Sequence, residues 1–190
     1  MSAVAPSPAP CRVRRARAGL VVVDIQERFA PVIHEWPRLI QNAQRLIRGA
    51  RTLRLPVFWT EQYRKGLGPT VSEIAAELAD LAPLEKTAFD CCAAPGFLET
   101  LRARGVDDVL LCGIEAHVCV CQTALGLLDA GLRPFVVADA VSSRSPENAR
   151  LGLERVRAAG GIIVSTEMIL FELLERAGSE EFKQILALVK

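Results

Sequence analysis

Three residues carry the chemistry that this sequence offers. Cys119 falls at the start of a helical stretch, within CGIEAHVCVCQTALGLLDA (112–130). The unpaired N–H groups of a first helical turn, together with the helix macrodipole, favour a thiolate and can also hold an oxyanion. Asp24 comes directly after a run of four apolar residues in VVVDIQERF (21–29). A carboxylate there is costly unless something uses it. Lys86, in LEKTAFD (84–90), stands between the acidic Glu85 and the apolar Ala88 and Phe89. Taken singly, each has an ordinary explanation: packing for the cysteine, a cap or ion pair for the aspartate, a solvated surface for the lysine. Taken together they are a nucleophile, a base and a cation, a complete set for acyl transfer. Cys121 lies two residues past Cys119, about 200° around the helix. It and Cys112 read as small core hydrophobes.

These residues need elements to hold them. Short apolar runs alternate with longer stretches of helical period. Strands are predicted at GLVVVD (19–24), LPVFWT (55–60), DDVLLCGI (107–114), LRPFVVADA (132–140) and GIIVST (161–166). Helices are predicted over 35–53, 71–81, 95–105, 117–131 and 145–160, with two more closing the chain, and 63–70 reads as a loop. Over 35–53 the apolar residues fall at 39, 43, 46, 47, 50 and 53, which is helical spacing. Strands alternating with helices imply parallel pairing, right-handed crossovers and a sheet covered on both faces. The expected fold is therefore α/β: three layers, α/β/α and Rossmann-like, around a parallel sheet of five or six strands. In such a sheet the functional crevice lies at the carboxyl ends of the strands. Asp24, Glu61, Gln62 and Asp139 all fall on that rim. Position there makes Gln26, Phe29, Glu61, Gln62 and Tyr63 the candidates for the wall of a substrate pocket.

The totals bound the classes. With 190 residues, 51% hydrophobic and 24% charged, the chain suits one globular domain. A net charge of +1 gives no field that would draw it to nucleic acid or to an acidic membrane. The apolar runs are too short to span a bilayer. Neither nucleic acid nor membrane is expected as a partner. The six cysteines, without a recognisable signal peptide ahead of them, read as reduced thiols in a cytoplasmic setting. Their spacings do not match a zinc site. The first 18 residues are rich in Ala, Pro and Arg and contain no acid. They read as a disordered tail preceding a domain over 19–190; a transit peptide is the sharper alternative, but three prolines break the helix it would need. No dinucleotide or Walker fingerprint is present, nor a G-x-S-x-G elbow.

The stretches VVVDIQERF, LPVFWTEQYRKGLGPTVSEI, EKTAF, VLLCGIEAHVCVCQTALGLLDAG, VVADAVSSRS and STEMILFELL together resemble the isochorismatase-like cysteine hydrolase superfamily. The branch they are most similar to is that of the isochorismatase domain-containing proteins and related bacterial hydrolases. The resemblance implies a triad of Asp24, Lys86 and Cys119. It also implies a cis peptide at Ile114–Glu115 that places the Glu115 N–H beside that of Cys119, as a backbone oxyanion hole. A homo-oligomer is implied as well. Two departures narrow the activity. Nicotinamidases of the superfamily hold a metal through Asp and His residues after the second strand, where this chain reads TEQYRKG without histidine. No catalytic metal and no cofactor are expected. True isochorismatases lack the cysteine nucleophile, whereas Cys119 is present here. The expected activity is metal-independent hydrolysis of a small amide or related C–N bond through a thioester. The alternatives are a non-catalytic interaction protein on the same fold, and a thiol redox protein using Cys119 with Cys121 or Cys112.

Overall fold

The computed structural model describes residues 12–190. One six-stranded sheet forms the middle layer, built from β1 (Ala18–Val23), β2 (Val57–Gln62), β3 (Leu84–Lys86), β4 (Asp108–Ile114), β5 (Arg133–Ser142) and β6 (Ile162–Val164). Its strand order is β3-β2-β1-β4-β5-β6, and every adjacent pair is parallel. Every residue of β1 and β4 is buried, as central strands covered on both faces should be. The expected α/β architecture is the observed one, with six strands.

Helices α1 (Trp36–Thr52), α2 (Arg64–Leu67), α3 (Ser72–Ala75), α4 (Phe97–Ala103), α5 (Cys119–Asp129), α6 (Pro146–Ala158), α7 (Thr166–Leu174) and α8 (Glu180–Val189) complete the chain. The apolar side of α1 buries Leu39, Ala43, Leu46, Ile47 and Ala50. It packs with Leu20, Val22 and the inner face of α7 in one core on one face of the sheet. On the opposite face, Val21, Val23, Val109 and Leu111 pack with α4 and α5 in a second core. Helix starts follow local chemistry. The Ser145 hydroxyl accepts from the Asn148 N–H ahead of Pro146, and the Ser165 hydroxyl accepts from Met168.

Three local expectations change. The segment 84–86, predicted as part of no element, is the edge strand β3, which pairs Gln62 with Lys86. Three residues are too few to show a period, so only the neighbouring strand reveals it. The stretch read as a loop over 63–70 contains the single turn α2. Of the tail expected over 1–18, residues 12–18 belong to the fold. Residues 1–11 lie outside the described residues, but Val13 is buried and β1 begins at Ala18. The Arg14 guanidinium and N–H reach Asp108 at 2.7 Å, and Arg15 pairs with Glu181 at 2.8 Å. These arginines were part of the composition that read as a tail. They are anchors because their acceptors lie on β4 and α8, about 90 to 170 residues away.

The strand order reverses between β1 and β4, and this switch point opens a crevice at their carboxyl ends. Gly113 makes the approach possible. Its φ is +114°, and a Cβ there would meet the Val23 carbonyl oxygen at 2.0 Å. Gly152 on α6 lies equally close to the loop beyond β4, where a Cβ would meet the Ala116 carbonyl at 2.7 Å. At the opposite end of the sheet, Asp108 is fully buried between Arg14 and Arg133. Burial opposes its charge, but hydrogen bonds from both guanidiniums outweigh that and hold its carboxyl below the usual range. Asp108→Asn removes the charge that both arginines share. Since Arg14 is half exposed, the expected loss is about 2–3 kcal/mol, below the range for a fully buried pair. Urea unfolding of the variant checks this.

Candidate active site

Asp24 leaves β1 with φ of +51°, which turns its carboxylate back under the strand ends. It is 1% exposed. The Thr60 hydroxyl on the neighbouring β2 donates to Oδ1 at 2.6 Å. The Lys86 ammonium on β3 donates to Oδ2 at 2.6 Å. The Lys86 side chain is wholly buried. Its remaining N–H groups face Gln62 Oε1 at 2.7 Å and the carbonyls of Ala88 and Phe89 at 3.3 and 3.5 Å. Burial alone would lower its pKa. The Asp24 carboxylate and the thiols of Cys91 and Cys119 outweigh that and raise it, so the lysine is an ammonium ion at neutral pH.

Cys119 opens α5 and is 7% exposed. The expected lowering of its thiol pKa does not occur. Burial raises it, the negative charge and hydrogen bond of Asp24 raise it further, and Lys86 only partly opposes them. At rest the site thus holds a protonated thiol facing a carboxylate. The helix terminus is one field among several at this thiol; desolvation and an adjacent anion are larger. The Ile114–Glu115 peptide is cis. Among the described residues neither the Glu115 N–H nor the Cys119 N–H has an acceptor. Both belong to the turn that enters α5, a turn held by Val118 and Val120 donating to the Glu115 carbonyl. The Glu115 side chain binds Arg144 at 3.1 Å.

The five pocket-wall candidates divide. The Gln26 side chain is buried and bonded to the main chain on both sides: Gln62 N–H donates to its Oε1 at 2.8 Å, and its Nε2 donates to the carbonyls of Gln62 and Gly68 at 3.0 and 2.6 Å. Glu61 is buried and accepts from the Thr70 N–H at 2.7 Å, the Thr70 hydroxyl at 2.9 Å and Arg64 at 3.0 Å. Gln62 is buried against Lys86 and donates to the Thr87 carbonyl at 2.7 Å. These three brace the rim through their hydrogen bonds. Phe29 packs beside Ile33, Leu39 and Ile114. Tyr63 is more than half exposed and, with Arg64, Lys65, Glu85 and Pro95, lines a cavity of about 310 Å³ whose inner wall includes Lys86. Asp139, also on the rim by sequence, instead accepts from the Thr166 N–H and hydroxyl at 2.8 and 2.9 Å.

Neither Thr60 nor Cys91 stands out from the sequence. Thr60 looks like any β-branched strand residue until its partner is known. Cys91 lies in the turn Cys91–Ala93, with its sulfur 4.0 Å from the Thr60 hydroxyl. A metal of the nicotinamidase kind does not fit here. Glu61 and Gln62 are already bonded, and among the described residues no three His, Cys, Asp or Glu side chains gather as ligands.

Residues 18–168 match the family model described as the isochorismatase domain. The chain belongs to the isochorismatase family. Its isochorismatase-type fold is that of the family's hydrolases, as its relatives' structures indicate. Isochorismatase domain-containing protein 2 of Macaca fascicularis is 42% identical over 180 residues, covering 94% of this chain and 86% of that protein. The secreted isochorismatase effector Isc1 of Phytophthora sojae is 41% identical over 177 residues, 90% of this chain and 83% of its own. The structure of the MAR1 ribonuclease of Caenorhabditis elegans superposes with a TM-score of 0.87 at 40% identity, covering 94% of this chain and 92% of that one. Among the described residues of this family member no helix is long and apolar enough to cross a membrane.

The thiols also set how stability responds to alkali. Burial pushes Cys91 up to about 11 and Cys112 up to about 12, and it raises Cys92, Cys119 and Cys121 as well. A folded chain that keeps these protons binds more of them than the unfolded chain above the ordinary thiol pKa of about 8.5. Stability is therefore fully present below that pH and falls as pH rises through the raised values. Cys112→Ala removes one such group. Between pH 9 and 10.5 its unfolding free energy should fall less steeply than that of the parent, by up to about 1.4 kcal/mol per pH unit. Denaturant titrations at stepped pH read the slope directly.

Proposed function

We propose that this isochorismatase-family protein is a metal-independent cysteine hydrolase that cleaves a small amide or related C–N bond through a thioester on Cys119. The observation that carries the reading is the buried Asp24 carboxylate. It is held by Thr60 and Lys86, and it faces a protonated thiol at the head of α5. Because the thiol is neutral at rest, Asp24 takes its proton as sulfur attacks the substrate carbonyl. The free N–H groups of Glu115 and Cys119 receive the developing oxyanion. Collapse expels the amine, which takes the proton back from Asp24 and leaves a thioester. Asp24 then draws a proton from water, which attacks the thioester. The carboxylic acid departs, and the thiolate recovers its proton from Asp24. Lys86 keeps its charge throughout and touches no reacting atom. It balances the charge of Asp24 and favours the thiolate while that exists.

A cytoplasmic setting would keep the thiol reduced, and a homo-oligomer would cover the exposed Val32, Tyr63 and Phe89 at the same rim. Sedimentation at micromolar concentration should give a mass of at least two chains.

The direct test is a panel of small amides, with short RNA included because the C. elegans neighbour is named a ribonuclease. Amide turnover should be accompanied by an acyl adduct on the Cys119 peptide. It should fall about 10³-fold or more in Cys119→Ser and in Asp24→Asn. Full turnover in Cys119→Ser would sink the mechanism.

A further inference from the structure

We propose that Gln62 is a positioning residue for this site: its amide fixes the Lys86 ammonium against Asp24, and its neutrality leaves Lys86 with a single carboxylate partner. This rests on the hydrolase reading above and extends it to a residue that the sequence placed in the pocket wall.

Lys86 has three donors and no acceptor, on a stem with four rotatable bonds. Buried beneath the rim, it is aimed only by its acceptors. Two are backbone carbonyls at long range, 3.3 and 3.5 Å, and two are side chains at close range, Asp24 at 2.6 Å and Gln62 at 2.7 Å. Among the described residues Gln62 is thus the only close partner besides the Asp24 carboxylate. Its amide cannot turn around. The ammonium requires an oxygen on one side, and the Thr87 carbonyl at 2.7 Å requires an N–H on the other. Reversal would set two donors and two acceptors against each other in a dry site.

Gln62 is itself held. It is the last residue of β2, where the ladder ends, and Gln26 takes over the role of a neighbouring strand there. The Gln26 amide accepts from the Gln62 N–H at 2.8 Å and donates to the Gln62 carbonyl at 3.0 Å. Its second N–H holds the Gly68 carbonyl at 2.6 Å. Gln26 lies two residues beyond Asp24 in the same turn, with its own N–H bonded to the Asp24 carbonyl at 2.8 Å. Asp24, Lys86, Gln62 and Gln26 therefore close a ring of hydrogen bonds across the ends of β1, β2 and β3. No member can shift without straining two others. A glutamate at 62 would match the shape but add a second anion to Lys86 and abolish the bond to Thr87.

The test reads the electrostatics of the folded protein and needs no substrate. The full chain is labelled with iodoacetamide near pH 8. The Cys119 peptide is quantified by mass spectrometry, with Cys121 as the internal control and thermal unfolding as the check on folding. In Asp24→Asn, Cys119 should label faster, because that carboxylate holds the thiol proton. In Gln62→Glu, Cys119 should label about tenfold slower, since a second anion beside Lys86 disfavours the thiolate by about one pKa unit. In Gln62→Met, which keeps the bulk but removes the acceptor, labelling should slow a few-fold as Lys86 leaves its place. Gln62→Met decides alone should Gln62→Glu not fold. A purely structural role would loosen the rim and speed labelling of Cys119 and Cys121 together. Unchanged or faster Cys119 labelling in folded Gln62 variants, with Asp24→Asn still altering it, overturns the role of Gln62 alone. A Cys119 indifferent to Asp24→Asn overturns the hydrolase reading as well.

Discussion

The Lys86–Asp24 ion pair, closed at 2.6 Å with both side chains out of water, is the interaction around which the rest is arranged. Two charges taken from water lose several kcal/mol of hydration each, and their attraction offsets this only when every remaining donor and lone pair is also satisfied. That requirement explains the surroundings. Thr60 bonds the second carboxylate oxygen, Gln62 takes another ammonium proton, and the chain beyond β3 presents the Ala88 and Phe89 carbonyls. Three strands must end at matching depth for this to happen, and the parallel register pairs Val23 with Thr60 and Gln62 with Lys86.

The same ion pair sets the state of the Cys119 thiol. A helix start beside an ammonium is a familiar way to lower a thiol pKa. Here the anion that neutralises the ammonium lies next to the thiol, and burial adds to its effect, so the sulfur keeps its proton. Such a site is quiet at rest. In the proposed mechanism the nucleophile forms only as the carboxylate takes the proton, which ties activation to the arrival of a carbonyl. A resting thiol of this kind also resists oxidation and stray alkylation, both of which need the thiolate.

Much of the framework was legible beforehand. The apolar runs around residues 20–23 and 109–112 marked central strands because burial on both faces demands unbroken apolar sequence. The period of 39, 43, 46, 47 and 50 marked α1. Asp24 and Cys119 stood out because polar groups at the ends of such elements are rare enough to need a reason. The rest of the rim was less legible. Gln26, Glu61 and Gln62 were placed at the right height, but their use as braces could not be foreseen. Strand-end position shows where a side chain begins; it does not say which backbone groups lack partners there. Arg14 and Arg15 were misread in the opposite direction, as part of a tail, because their acceptors Asp108 and Glu181 belong to distant elements.

The sequence by itself determined the α/β class, the order of its main elements, and the presence of a carboxylate at a strand end and a thiol at a helix start. These follow from patterns within a few residues, since hydrophobic period and helix caps are local properties. Only the tertiary structure decided that Lys86 lies in a strand, that its charge rests on Asp24, 62 residues away, and that Gln62 and Thr60 support the pair. It also decided that the thiol is protonated. Hydrogen-bond partnership and desolvation are properties of a place in space, and no spacing along the chain encodes them.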